Sequence, residues 1–345
     1  TAYEIYQCDW SSDVCSSDLI DDPAAAKSGL TRYEFRYSQS SADPAEPNMV
    51  SYVDYSPQFS ASSFKSYADV AKAYQDRARP KAATTPEIVA HARKVIGDAV
   101  TEQEKVRSLY IWVSRNIRYL GVFAGSGGYV PHSAQSILRA RYGDCKDHAT
   151  LLEALLRAVG IESSQVLINS DKSYKLPEIP SAAVFDHVIT YVPSLGLFLD
   201  STSRFTPMGL LPEGVVGKPG LITATGQVIT TPLDDVSKDK SITTTTMTLH
   251  PDGRVTGASR VEQFGYFQLL SRARIYRNQN KPQQEVVGNM LARFNESGTG
   301  KIHHPDPLDL NAEWVVNSEY SLDPVVNLPG VVALTLPIEI GRAHV

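Results

Sequence analysis

Three residues carry the chemistry that this chain could perform. Cys145 lies in Gly143-Asp144-Cys145-Lys146-Asp147-His148, where Asp144 reads as a helix cap and Asp147 as the third helical residue, so the sulfur falls in the first turn. Unpaired backbone N–H groups and the helix dipole stabilise a thiolate there, the nucleophilic form of cysteine. His187 and Asp200 supply a base and a carboxylate, on two predicted strands joined around Pro193-Ser194-Leu195-Gly196. A two-residue loop pairs Val192 with Leu195 and His187 directly with Asp200. A four-residue loop pairs Val192 with Leu197 and sets Asp200 opposite Ile189, diagonal to His187. Either even loop places both residues on one face, where the carboxylate orients the imidazole while the other ring nitrogen faces the sulfur. Each residue alone has a plainer reading: a small buried hydrophobe, a satisfied core histidine, a polar strand end.

The elements that must position these groups follow from periodicity and caps. Thr85-Pro86-Glu87 opens a helix that runs to about Ile96, and Thr101 with Glu104 forms a capping box for a second. In that helix Val106, Leu109, Tyr110, Val113 and Ile117 keep helical spacing and face a core. A glycine-rich loop, Gly125 to Tyr129, and a short helix, Ser136 to Arg141, precede the helix of Asp144 to Val159, which Gly160 closes. Its core stripe is Ala149, Leu151, Leu152, Leu155 and Leu156. Strands follow at Gln165 to Ile168, Val184 to Val192 and Leu197 to Asp200, then a hairpin from Leu221 to Thr230 with Thr225-Gly226 at its tip. Helices first and an antiparallel sheet afterwards make this unit α+β.

The flanks read as β-rich. Tyr33 to Tyr37 and Val50 to Tyr55 alternate like strands, Ser66 to Arg79 is more helical, and Pro80 to Thr84 reads as a linker. Beyond about Thr231 come threonine-rich strand text at Ile242 to Leu249, a turn at Pro251-Asp252-Gly253 and a strand at Arg254 to Val261. Helical text follows at Tyr266 to Tyr276 and Gln283 to Phe294. The expected organisation is a truncated β domain and linker over 20–80, a core over 81–232 and a truncated β-rich unit with helices over 233–338.

Both ends are foreign to that pattern. Residues 1–19, including Asp13-Val14-Cys15-Ser16-Ser17-Asp18-Leu19, and residues 339–345, Glu339-Ile340-Gly341-Arg342-Ala343-His344-Val345, back-translate to the two sides of a short-read sequencing adapter. They are set aside as scars. The formal net charge of −5 then falls to −1, because Glu4, Asp9, Asp13 and Asp18 leave while Glu339 and Arg342 cancel. No charge excess points to nucleic acid or to any other partner. Of the 3 cysteines, Cys8 and Cys15 lie in the scar, which leaves Cys145 without an intramolecular disulfide partner. No apolar run approaches the roughly 18 residues of a membrane-spanning helix.

The order and spacing of Gly143-Asp144-Cys145-Lys146-Asp147-His148-Ala149-Thr150-Leu151-Leu152, Phe185-Asp186-His187-Val188-Ile189 and Leu197-Phe198-Leu199-Asp200-Ser201-Thr202 resemble the transglutaminase-like superfamily. Gly127-Gly128-Tyr129-Val130-Pro131-His132 is similar to its bacterial multidomain members, which place a β domain of unknown function before the core. The resemblance covers roughly residues 85–232. It implies a papain-like core in which Cys145 is the nucleophile, His187 general base and then acid, and Asp200 the orienting group. The Cys145 N–H would donate to the oxyanion, with Tyr129 or Tyr119 as candidate second donors. It further implies a protein or peptide substrate, and an exported or periplasmic setting in a bacterium. Membrane association stays open.

No cofactor is expected. One genuine cysteine cannot build the zinc site of the peptide N-glycanases in this superfamily. No acidic loop has the calcium-binding spacing that animal transglutaminases would need. Cys145 with His148, His132 or His187 is a weak zinc pattern beside first-turn packing for His148. Lys146 reads as a solvated first-turn residue and His303-His304 as an exposed loop pair. Gly125, Gly127 and Gly128 precede no phosphate-loop helix. The expected activity is cysteine-dependent acyl transfer, as amide hydrolysis or transglutaminase-type transfer. A non-catalytic binding or assembly module on the same fold is the alternative.

Overall fold

A computed structural model describes residues 46–56, 60, 62–121, 128–233 and 235–324, together with the backbone of 16–20 and 32–36. Two short strands, β1 (Ser16–Ile20) and β2 (Arg32–Arg36), pair antiparallel. All of β1 except Ile20 falls in the adapter-like stretch, and residues 339–345 lie outside the described residues.

The alternation of Val50 to Tyr55 does not make a strand. Tyr52–Asp54 is a single 3-10 turn capped by the Ser51 hydroxyl. Its pattern serves docking instead: the Asp54 carboxylate accepts from the Ser173 hydroxyl and the Tyr174 amide, each at 2.5 Å. Helix α1 (Tyr67–Ala78) starts on a Ser66 cap and runs into a 3-10 turn, Arg79–Ala82. The stretch read as a linker is therefore packed, with Ala82 fully buried in the main core.

Helices α2 (Pro86–Ile96) and α3 (Glu102–Asn116) begin on Thr85 and on the Thr101–Glu104 capping box. Strand β3 (Arg118–Tyr119) pairs parallel with β4 (Tyr142–Gly143), on either side of α4 (Ala134–Ala140). Helix α5 (Cys145–Ala158) follows β4 at once and forms the axis of this unit. Its leucines meet Ile88 and Ala92 of α2, Val106, Leu109, Tyr110 and Val113 of α3, and Ile137 of α4. Burying such a set removes each side chain from water at about 1.5–3 kcal/mol apiece.

The other side of α5 lies on a five-stranded antiparallel sheet. Its strands are β5 (Ser164–Ile168), β6 (His187–Val192), β7 (Leu197–Leu199), β8 (Pro219–Ile222) and β9 (Val228–Thr230), in the order β7-β6-β5-β8-β9. Every residue of central β5 is buried, as a strand covered on both faces requires. Helix α5 is buried all round from Cys145 to Leu156, so its polar positions 146, 147, 148, 150 and 153 are interior groups.

A second antiparallel sheet, β10 (Ser241–Leu249), β11 (Val255–Gln263), β12 (Gly298–His303) and β13 (Val315–Leu322), has the order β10-β11-β13-β12. Helix α6 (Gly265–Asn278) follows β11, and α7 (Gln283–Ala292) packs on the sheet around Val255, Val287, Leu291 and Leu322. The whole is mixed α+β, a helix-and-sheet core joined by a second helix-covered sheet. His303 ends β12 and is not a loop residue, while His304 is exposed beside the Trp314 ring.

Candidate active site

Asp144 caps α5 in a reciprocal box, accepting the Asp147 amide while the Asp147 carboxylate accepts the Asp144 amide, each at 3.3 Å. Cys145 is thereby the first residue of the helix, with its own amide left over from the cap. Asp147 also accepts the His132 amide at 2.8 Å and lies 3.1 Å from His132 Nδ1. Lys146 is not solvated: it is buried and its ammonium pairs with the equally buried Asp144. The carboxylate is an acceptor with room for both cap and ammonium, and burial of the whole first turn forces the long side chain to find a charge inside.

The strand register chooses between the two loops open to the sequence. Val192 pairs with Leu197 and Thr190 with Leu199, across a 3-10 turn Pro193–Leu195 and a left-handed Gly196 at φ 61°. This is the four-residue connection, which sets Asp200 diagonal to His187. Strand β6 begins only at His187, because Ala182–Val184 closes into a 3-10 turn. His187 Nε2 donates to Asp200 Oδ2 at 2.9 Å, and Cys145 is near enough to raise the pKa of the same imidazole. With Nε2 taken, Nδ1 is the ring nitrogen left for the sulfur.

Burial disfavours the His187 cation, but the Asp200 charge, its hydrogen bond and the Cys145 contact outweigh it and push the imidazole up to about 10. Burial likewise raises Asp200, yet the His187 charge and the Thr202 hydrogen bonds hold it below the usual carboxylate range. Asp200 Oδ1 accepts the Thr202 amide at 3.0 Å and its hydroxyl at 2.6 Å. The Tyr110 hydroxyl donates to the Asp200 and Thr206 carbonyls, at 3.3 and 2.8 Å. His148 Nδ1 donates to the Ser201 carbonyl at 2.9 Å.

Cys145 shares its apolar cluster with Val70 and Ala71 of α1, Ala149, Leu167, Val188 and Leu221, with Tyr67, Tyr74 and Phe185 against it. It is 5% exposed. Tyr119, in register with Gly143 and 42% exposed, has its ring centroid 6.0 Å from that of His148. Burial and the nearby Cys145 push the Tyr119 phenol up to about 12. Tyr129 is exposed, and among the described residues it makes no hydrogen bond or ring contact with Cys145, His187 or Asp200. Residues 125–127 of the glycine-rich loop lie outside the described residues. Sequence reasoning missed Tyr110 and His148 as supports. Their signals were a polar tip on a core residue and a histidine one helical turn after the cysteine. Among the described residues no three or more of His, Cys, Asp and Glu gather as a metal site would require, and no helix is long and apolar enough to cross a membrane.

Residues 89–187 match the model of the Transglutaminase-like superfamily, a stretch that holds Cys145 and His187 and stops before Asp200. No curated protein matches the sequence. Among solved structures, a "putative protease" from Parabacteroides distasonis aligns at 12% identity and a TM-score of 0.45, over 90% of this chain and 62% of its own. A "putative cysteine protease" from Cytophaga hutchinsonii aligns at 23% identity and a TM-score of 0.27, over 36% of this chain and 41% of its own. The chain thus spans less than two thirds of either protein. With Cys145 at the head of α5 and His187 at the head of β6, residues 89–187 are a domain of the transglutaminase-like superfamily.

Proposed function

We propose that this protein is a thiol enzyme that transfers acyl groups from protein or peptide amides. The observation that carries the reading is the buried His187–Asp200 hydrogen bond, with Cys145 beside the same imidazole. Cys145 is the nucleophile, His187 the proton carrier and Asp200 the group that orients and charges the imidazole. The Cys145 sulfur forms a bond to the amide carbonyl carbon, and the oxyanion takes the Cys145 N–H at the helix start. The His187 imidazolium gives its proton to the departing nitrogen as the C–N bond breaks, leaving a thioester. Water or an amine then attacks the thioester, passes a proton to His187 and releases the thiolate. Tyr119 is the better candidate for the second oxyanion donor, because its raised pKa keeps the phenol protonated and it stands beside Gly143.

Carboxamidomethylation at pH 6, followed on the Cys145 peptide by mass spectrometry because Cys8 and Cys15 also carry thiols, tests the reading. Faster reaction than a model thiol, abolished in His187→Ala, is expected. An ordinary rate, unchanged by that substitution, would leave a binding module on the same scaffold.

A further inference from the structure

We infer that His148 is a positioning residue that fixes the distance between Cys145 and Asp200, by joining the helix that carries one to the turn that carries the other. The inference rests on the thiol-enzyme reading above. His148 stands one turn after Cys145 on α5 and is 1% exposed. Its Nδ1–H donates to the Ser201 carbonyl at 2.9 Å, on the residue immediately after Asp200. The other nitrogen, Nε2, is buried with no hydrogen-bond partner. A carbonyl can only accept, so the Nδ1–H tautomer is fixed and Nε2 carries a bare lone pair.

The neighbours explain why a histidine in this place should be neutral. Asp147 faces it from its own helix, Asp200 from the turn, His187 from β6, and the Tyr119 ring from β3. Burial dominates and drives its pKa down to about 4, with the His187 charge adding to the effect against the two carboxylates. A neutral donor anchors the turn without offering Asp200 a second cation. The Asp200 carboxylate is then left to His187 and Thr202. Tyr110 pins the same turn from α3 through the Asp200 carbonyl. Tyr110 ties it to a helix that carries no reacting group, whereas His148 ties it to the helix that carries the nucleophile.

The test separates the bond from the bulk of the ring. Asparagine at 148 can present an N–H where Nδ1 stood, while glutamine presents it at the Nε2 position. In protein with labelled histidines, the ring resonances report the pH at which His187 releases its proton, and alkylation of the Cys145 peptide at pH 6 reports reactivity. His148→Gln is expected to let Asp200 drift, lowering the His187 titration by a pH unit or more and slowing alkylation about tenfold. His148→Asn is expected to keep both within about threefold of wild type. Wild-type behaviour in His148→Gln, or equal losses in the two variants, would overturn the inference. Wild-type protein with an ordinary thiol and an ordinary His187 titration would instead overturn the thiol-enzyme reading beneath it.

Discussion

The Arg204 guanidinium stands 5.2 Å from the centroid of the Tyr276 ring and donates to its hydroxyl at 3.0 Å. Phe205 packs on the same ring at 5.4 Å between centroids. Both residues belong to the turn that begins at Asp200, so a helix of the second sheet unit, α6, holds the carboxylate end of the candidate triad. Truncating Tyr276 to alanine should cost about 1–3 kcal/mol through lost aromatic and cation contacts. Tyr276→Phe should cost under about 1 kcal/mol, because a half-exposed hydrogen bond is largely replaced by water. Hydrogen exchange at the Thr202 amide, which bonds to Asp200, should quicken in Tyr276→Ala more than the global loss of stability explains.

The His187–Asp200 pair makes stability depend on pH in two opposite directions. The His187 imidazole is raised, from 6.5 to about 10, so its contribution is complete below pH 6.5 and is lost as pH climbs through about 10. Asp200 is depressed, so its contribution is present above the unfolded carboxylate value and is lost as pH falls through the lowered one. Asp200→Asn should remove both slopes and return the His187 titration toward or below its ordinary value. Chemical denaturation across pH 4 to 11 reads this directly: an unchanged alkaline slope in Asp200→Asn would contradict the assignment.

Asp144 both caps α5 and neutralises buried Lys146. Asparagine at 144 keeps a capping oxygen but leaves the ammonium unpaired inside the protein. Asp144→Asn should therefore cost about 3–5 kcal/mol, well beyond the roughly 1 kcal/mol of a lost cap. Adding Lys146→Met should recover most of that loss, since the apolar side chain needs no partner. Urea melts of the two single variants and the double variant check the sign of the coupling.

What was legible in the sequence was local. Thr85, Thr101 and Asp144 announced their helices because each cap is written within a few residues of its partner, and Gly160 marked the end of α5. The face shared by His187 and Asp200 followed from strand parity alone, although the sequence left the loop length open between two and four. Nonlocal burial was illegible. Lys146, Thr150 and Glu153 have the types of a solvated face, yet α5 is wrapped by α2, α3, α4 and the sheet. Glu153 finds Arg157 one turn on, as helical spacing allows, but also Gln165 at 2.8 Å, a partner that no spacing rule connects. The alternation at Val50 to Tyr55 misled for the same reason: its polar positions dock on residues 172–175, far along the chain.

Gly143 links the parallel β3–β4 pair to Cys145, the proposed nucleophile. A Cβ there would stand 2.5 Å from Asp147 Cβ and 2.9 Å from Asp147 Oδ2, too close for either atom to remain in place. The Asp147 side chain cannot simply swing aside, because its carboxylate is held by the Asp144 and His132 amides. Gly143→Ala should therefore break the capping box, shift the first turn of α5 and destabilise the fold by about 1–3 kcal/mol. The same shift moves the Cys145 amide that is proposed to bind the oxyanion. Turnover of an amide substrate should then fall more steeply than thermal stability, and Gly143→Ala should cost less in an Asp147→Gly background, which lacks both the Cβ and the carboxylate, than in the wild type. If Gly143→Ala costs as much in the Asp147→Gly background as in the wild type, crowding against Asp147 is not the cause.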